Sequence, residues 1–243
     1  MPLAVGVFAN WLPLKTHGVE TLKAWQTLVA GLLAIAAAGL GGLFVLYQTD
    51  ANKRQEDAKQ TRNHAAARAV LPLALSALVE HADKAATELE KLRATATGVR
   101  IMGPTGSIFL APQVDPKVIR MLQDVIEDAS DIVADRISNV ISDVQVQDAR
   151  LRSLSKTLLK STRSIFTTYD LDGYILDSAV IYARGSALFE YARRETDDVP
   201  ASFPSEEEIV TALNLLGFDD FTHPDLYKMA KARAARKRRT ISP

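Results

Sequence analysis

The stretch WQTLVAGLLAIAAAGLGGLFVLYQ, from Trp25 to Gln48, contains no charged side chain. As a helix it would be roughly 36 Å long at about 1.5 Å per residue, enough to cross a hydrocarbon core of about 30 Å. Leu28, Leu32, Leu33, Ile35, Leu40 and Leu43 spread over every helical face, and an all-round apolar helix belongs either in lipid or deep inside a protein. The second option demands apolar partners on all sides. Trp25 and Tyr47 stand at the two ends, where an aromatic belt meets the membrane interface. Ala34-Ile35-Ala36 and Ala36-Ala37-Ala38 match a small-residue cleavage pattern. A cleavable leader has a shorter apolar region nearer the start, however, and here the run continues for about ten residues past those alanines. The stretch therefore reads as an uncleaved transmembrane helix.

Lysine and arginine near the helix ends set the expected orientation. Lys15 and Lys23 precede the span, while Lys53, Arg54, Lys59, Arg62 and Arg68 follow it. The bias predicts a single-pass protein of the inner (plasma) membrane with its body in the cytoplasm. Residues 1–24 form a short extracytoplasmic or interfacial tail, beginning with the uncharged MPLAVGVFANWLPL. Residues 49–68 form a basic juxtamembrane segment. Within the span, Ala30, Ala34, Ala38 and Gly42 recur every four residues. A stripe of small residues lets two membrane helices approach closely, so a homodimer through this face is one expectation.

The whole chain has 243 residues, 47% hydrophobic and 24% charged, with 29 basic and 29 acidic side chains. The apolar share supports a folded core, and the zero net charge gives no global attraction to nucleic acid. The absence of cysteine excludes disulfides, cysteine zinc sites, iron–sulfur clusters and thiol nucleophiles. Alanine and arginine richness suits a bacterial source with a GC-rich genome.

Beyond the span the pattern is helical. Leu71, Leu75, Leu78, Ala82, Ala85, Leu89, Leu92 and Ala96 step alternately by four and three, the spacing of a two-helix seam. Pro72 should kink this helix or mark a break, and Gly98 should end it. Asp115-Pro116 opens a second run, through Ile119, Leu122, Ile126, Ala129, Val133, Ile137, Val140 and Val144, with Leu151, Leu154 and Leu158 beyond. An extra step of four between Val133 and Ile137 reads as a stutter. The two runs would pack as an antiparallel, coiled-coil-like hairpin. The joining GVRIMGPTGSIFLAPQV (98–114) reads as a small β-hairpin or ordered loop. A third helix is expected over about Gly173–Arg194, capped by Asp172 and the most buried of the body. Ser205 and Glu208 form a capping box for a short helix that Gly217 stops, and a last helix starts near Pro224. The expected fold is all-α: one N-terminal transmembrane helix, then a helical bundle over 69–222 with additional short helices. A basic helix or tail follows over 223–243.

From Glu195 to Asp225 there are nine acidic residues and no lysine or arginine. Then come Lys228, Lys231, Arg233, Arg236, Lys237, Arg238 and Arg239 with no acid between them. The opposite blocks either neutralise each other across the surface or leave the basic tail to contact anionic lipid or a partner. Nucleic acid is disfavoured, since Tyr227 is the one aromatic beside the block.

No metal or cofactor is expected. His17, His64, His81 and His223 show no ligand spacing. Tyr169–Tyr174 (YDLDGY) lacks a calcium loop's closing Glu, with Ile181 at its twelfth position. GPTGS lacks the lysine of a phosphate loop. Asp124, Glu127, Asp128, Asp131 and Asp135 read as a solvated face without the Glu-x-x-His of a di-iron bundle. The expectation is a membrane-anchored, non-enzymatic interaction, scaffold or regulatory protein that docks an unknown protein partner. The alternatives are a tethered enzyme with a dispersed site around Tyr169, Asp170 and Asp172, or a sensory or pore-modulating subunit.

Overall fold

The structure, a computed structural model, describes residues 13–96, 98–99, 101, 109–160 and 166–241, with side chains from Trp25 to Arg236 except Thr27 within those segments. Among the described residues the fold is all-helical: α1 (Pro13–Ala94), α2 (Pro116–Glu127), α3 (Asp131–Lys160), α4 (Thr168–Ala187), α5 (Phe189–Ala192), α6 (Glu206–Leu215) and α7 (Pro224–Ile241). The chain divides into two compact units at Lys59/Gln60, inside the expected juxtamembrane segment.

The first unit, as far as it is described, is α1 alone. Helix already begins at Pro13, within the stretch read as a tail. The apolar window inside α1 has none of its residues buried: Leu32, Leu33, Ile35, Leu40 and Phe44 are all exposed. Among the described residues nothing covers them, and the segment is long and apolar enough to cross a membrane.

In the second unit α1 changes character. Leu71, Leu75, Leu78, Ala82, Ala85 and Leu89 are fully buried, with Leu92 close behind. The stripe lies in two apolar clusters. One joins Leu71–Ala82 to Leu122, Val125, Ile137, Val140 and Ile181. The other joins Ala85–Leu92 to Leu151, Leu154, Ile175, Leu213 and Leu226. One face of α1 therefore shares its core with α2, α3, α4, α6 and α7. The helix runs through Pro72 without a break; the missing amide of Pro72 leaves one turn weaker, and burial of Leu71 and Leu75 beside it holds the turn in place.

The second run is two helices, not one with a stutter. The amides of Asp128 and Ala129 both return to the Ile126 carbonyl, closing α2, and α3 restarts at Asp131. Asp and Ser are weak helix formers because their side chains compete for the backbone, and the two helices pack against each other across this turn. Asp115 does cap α2, its Oδ1 accepting the Lys117 amide at 2.9 Å. The expected hairpin inside 98–114 lies largely outside the described residues. What is described pairs differently: the Ile101 amide donates to the Phe166 carbonyl (3.2 Å) and the Thr168 amide to the Val99 carbonyl (3.0 Å).

Helix α4 starts earlier than read and is capped by another residue. Thr167 Oγ1 accepts the Asp170 amide at 3.2 Å, and Asp170 Oδ2 accepts the Thr167 amide at 2.8 Å, a reciprocal capping box. Asp172 lies inside the helix and is buried. Eleven residues of α4 are buried, and it packs on α3, α5, α6 and α7. Gly185 admits close approach to α1, since a Cβ there would stand 3.1 Å from Val79 Cγ2. Past α6, the Gly217 amide bonds the Asn214 carbonyl and the Phe218 amide the Leu213 carbonyl, the Schellman pattern. Ser205 and Glu208 cap its start as expected.

Gly217 sits at φ +88, and a Cβ added there would meet no atom within 4 Å, so Gly217→Ala adds backbone strain and nothing else. It should cost about 1–2 kcal/mol, measurable as a lower denaturation midpoint with unchanged slope. An unchanged midpoint would contradict the left-handed cap.

Candidate functional site

Charged residues on the buried faces of α1, α3 and α4 define the polar interior. Asp177 projects from α4 with its side chain 7% exposed, and its two oxygens take different arginines. Arg150 of α3 donates to Oδ2, and Arg233 of α7 donates to Oδ1 at 2.5 Å. One carboxylate thus ties three helices together. Burying a carboxylate costs several kcal/mol unless it is paired and hydrogen-bonded, and two guanidiniums meet that demand.

Earlier on the same helix, Asp172 meets Arg93 of α1, with Nε 2.8 Å from Oδ1. The contact is close but poorly aligned, and neither atom gains a hydrogen bond from it. Burial raises the pKa of Asp172, and the attraction of Arg93 only partly opposes it. Arg184 of α4 faces Asp143 of α3 at 3.3 Å, and burial lowers the arginine's pKa. Arg68 of α1 is held by the carbonyls of Tyr191 and Thr196 and by Asp197 Oδ1. Its guanidinium lies 4.0 Å from the Tyr191 ring centre, a cation–π contact.

A second buried set joins α1, α3 and α4. Gln147, fully buried, donates through Nε2 to Ser178 Oγ at 2.6 Å, and Ser178 donates to the Tyr174 carbonyl. His81 is 5% exposed. Burial pushes its pKa down and nearby Lys84 adds to this, while Asp148 and Gln147 act in the opposite direction.

Next to these groups a groove of about 570 Å³ opens between α3, α4 and α7. Arg150, Asp177, Arg233 and Arg236 line it, with Tyr169, Asp170 and Tyr174 from α4. Burial raises the pKa of the Tyr174 phenol, and Arg150 opposes that shift. Tyr169 and Asp170, two of the residues named from sequence, do share this groove. Asp172 does not line it and faces Arg93 instead.

Ala30, Ala34, Ala38 and Gly42 are all exposed on α1, and no side chain comes within 4 Å of where a Cβ on Gly42 would stand. In the basic block, Lys228 pairs with Asp225 at 3.1 Å and Lys231 is exposed. Arg233 holds Asp177 and Arg236 lines the groove. The side chains of Lys237, Arg238 and Arg239 lie outside the described residues. Leu226, Ala230 and Ala234 are buried, so the basic block rides on a helix packed into the body. His64, His81 and His223 take separate surroundings. His64 meets the Tyr191 hydroxyl at 3.0 Å, and His223 stands edge-on to Phe218 and 3.4 Å from Glu90.

Sequence reading passed over Arg150, Asp177, Arg93 and Gln147. Their signal is a charged or amide side chain in phase with an apolar helical stripe, which announces a buried partner without saying which. No protein family, curated protein or solved structure matches this chain.

His81 links stability to pH. Its folded pKa lies below the ordinary value of 6.5, so on acidification the unfolded chain binds a proton first. Stability is then full above about pH 6.5 and falls as pH drops through that value towards the depressed folded pKa, by at most about 1.4 kcal/mol per pH unit. Denaturant titrations between neutral pH and pH 5 should show a shallower decline in His81→Gln than in the unaltered chain. Identical slopes would remove His81 as the cause.

Proposed function

We propose that the protein is a single-pass membrane-anchored interaction protein whose helical body docks a partner. The observation that carries this reading is the charge-free run of α1, exposed on every face, continuous with a helix whose later turns are built into a packed body. Lipid supplies the missing cover for the first part at no cost in buried polar groups, since a helix satisfies its own backbone. The lysine and arginine bias favours a cytoplasmic body. The exposed Ala30, Ala34, Ala38 and Gly42 face supports self-association within the membrane.

The buried charges argue for a structural role over catalysis in the body. The carboxylate whose pKa is raised, Asp172, is enclosed against Arg93 and away from the groove. Asp177, which does reach the groove, has both oxygens occupied by guanidiniums. A general acid or base needs a free oxygen within hydrogen-bond reach of a substrate.

Removing residues 25–48 should move the chain from the alkali-resistant membrane fraction to the soluble fraction, and a reporter fused to the C-terminus should be active in the cytoplasm. A truncated chain that stays in the membrane, or a reporter active only outside, would refute the anchor or its orientation respectively. Replacing Ala34 and Gly42 together by leucine should reduce in-membrane crosslinking between copies. Undiminished crosslinking would rule out that face as the contact.

A further inference from the structure

The groove between α3, α4 and α7 has the composition of an anion site. Three guanidiniums, Arg150, Arg233 and Arg236, line it against two carboxylates, Asp170 and Asp177. Asp170 is engaged with the Thr167 amide and hydroxyl. Asp177 is buried beneath the two arginines it binds, each of which gives it one Nη1. A guanidinium carries five N–H donors in a rigid fork, so each keeps donors after serving Asp177. Both arginines still reach solvent, with side chains 48% and 32% exposed.

We propose that this groove binds a phosphate-bearing ligand, with the phosphate held by Arg150 and Arg233 and its negative charge offset in part by Arg236. The buried carboxylate fixes both forks before any ligand arrives, which lowers the ordering cost of binding. It cancels one of their two positive charges, and with Arg236 set against Asp170 the groove lining keeps one net positive charge. A phosphate monoester carries about −1.5 to −2 at neutral pH and has enough oxygens to accept from two planar forks together, the recognition at which arginine excels. Tyr169 and Tyr174 offer rings and hydroxyls to whatever group carries the phosphate. The volume of about 570 Å³ falls in the range of small-ligand sites. A soluble phosphoester and a phospholipid headgroup present the same chemistry to these side chains. The proposal stands apart from the anchor and the docking role, and holds if either fails.

The test uses the full-length chain in an uncharged detergent, titrated calorimetrically with inorganic phosphate and with glycerol 3-phosphate in chloride buffer. Saturable binding is expected, weakened about tenfold or more in Arg150→Gln, the loss of one charge-assisted contact. Arg150→Gln leaves Asp177 paired with Arg233, and its melting curve checks that the fold survives. Arg236→Gln, at an exposed position of the groove lining, provides a second variant whose fold is checked by the same melting curve. Arg152→Gln removes the same charge from the same helix outside the groove and should bind as the unaltered chain does. No saturable binding, or an equal loss in Arg152→Gln, would overturn the site. Phosphatidylcholine vesicles with and without phosphatidic acid then separate the sources. Competition by the acidic vesicles alone marks a headgroup site, and its absence alongside glycerol 3-phosphate binding marks a soluble ligand.

Discussion

Two carboxylates buried on one apolar helix impose the arrangement of the body. α4 presents Asp172 and Asp177 where its neighbours along the helix are Leu171, Ile175, Leu176 and Ala179. Apolar packing alone would accept many rotations and offsets of the surrounding helices, because dispersion and hydrophobic burial are weakly directional. A buried carboxylate is less tolerant. Asp177 requires Arg150 from α3 and Arg233 from α7 at hydrogen-bond distance, and Asp172 requires Arg93 from α1. The partners come from three elements distant in sequence: hydrogen bonds to Asp177 hold α3 and α7 on α4, and the close charge pair of Asp172 with Arg93 brings in α1. Such pairs contribute little net stability over a well-packed apolar alternative. Their consequence here is a defined register.

The polar interior has a less well satisfied side. Arg93 Nε and Asp172 Oδ1 come close without an aligned hydrogen bond between them, and burial shifts the pKa of Asp172 and of Arg184 towards the neutral form. These contrast with the Arg150–Asp177–Arg233 node, where both oxygens are bonded and solvent reaches the arginines. The better satisfied node is the one that opens into a groove. The buried Asp177 fixes both arginines where they stand at the opening.

α1 runs through three environments as one uninterrupted helix. Its first part exposes an apolar surface on every face, its turns from Thr49 to Asn63 expose polar side chains on every face, and its last part buries one stripe. Backbone hydrogen bonding is indifferent to these changes of environment, which explains why the helix passes through all three. Much of this was legible in the sequence. Charge-free length announces the apolar part, and the Leu71–Leu92 periodicity announces the stripe. Capping chemistry announces the starts at Asp115 and Ser205 and the stop at Gly217, since those signals act within a turn of the residues that carry them. Asp172 misled because an acidic residue beside a glycine resembles a cap, whereas Thr167 and Asp170 satisfied the helix end first. The α2–α3 break was hidden because an apolar step of four continues across it.

By itself, then, the sequence determined the helical class, the apolar span, and the apolar stripe of α1 that would face inward, all properties set by neighbours along the chain. Only the tertiary structure decided which helices share the stripe of α1, which arginine answers each buried aspartate, and that Arg233 and Arg236 of the basic block stand at a groove with Arg150 and Tyr174. Periodicity specifies a face but not its partner, and a charge specifies the need for an opposite charge but not its address. Those choices are made when side chains far apart in sequence must fill one volume and satisfy one another's hydrogen bonds.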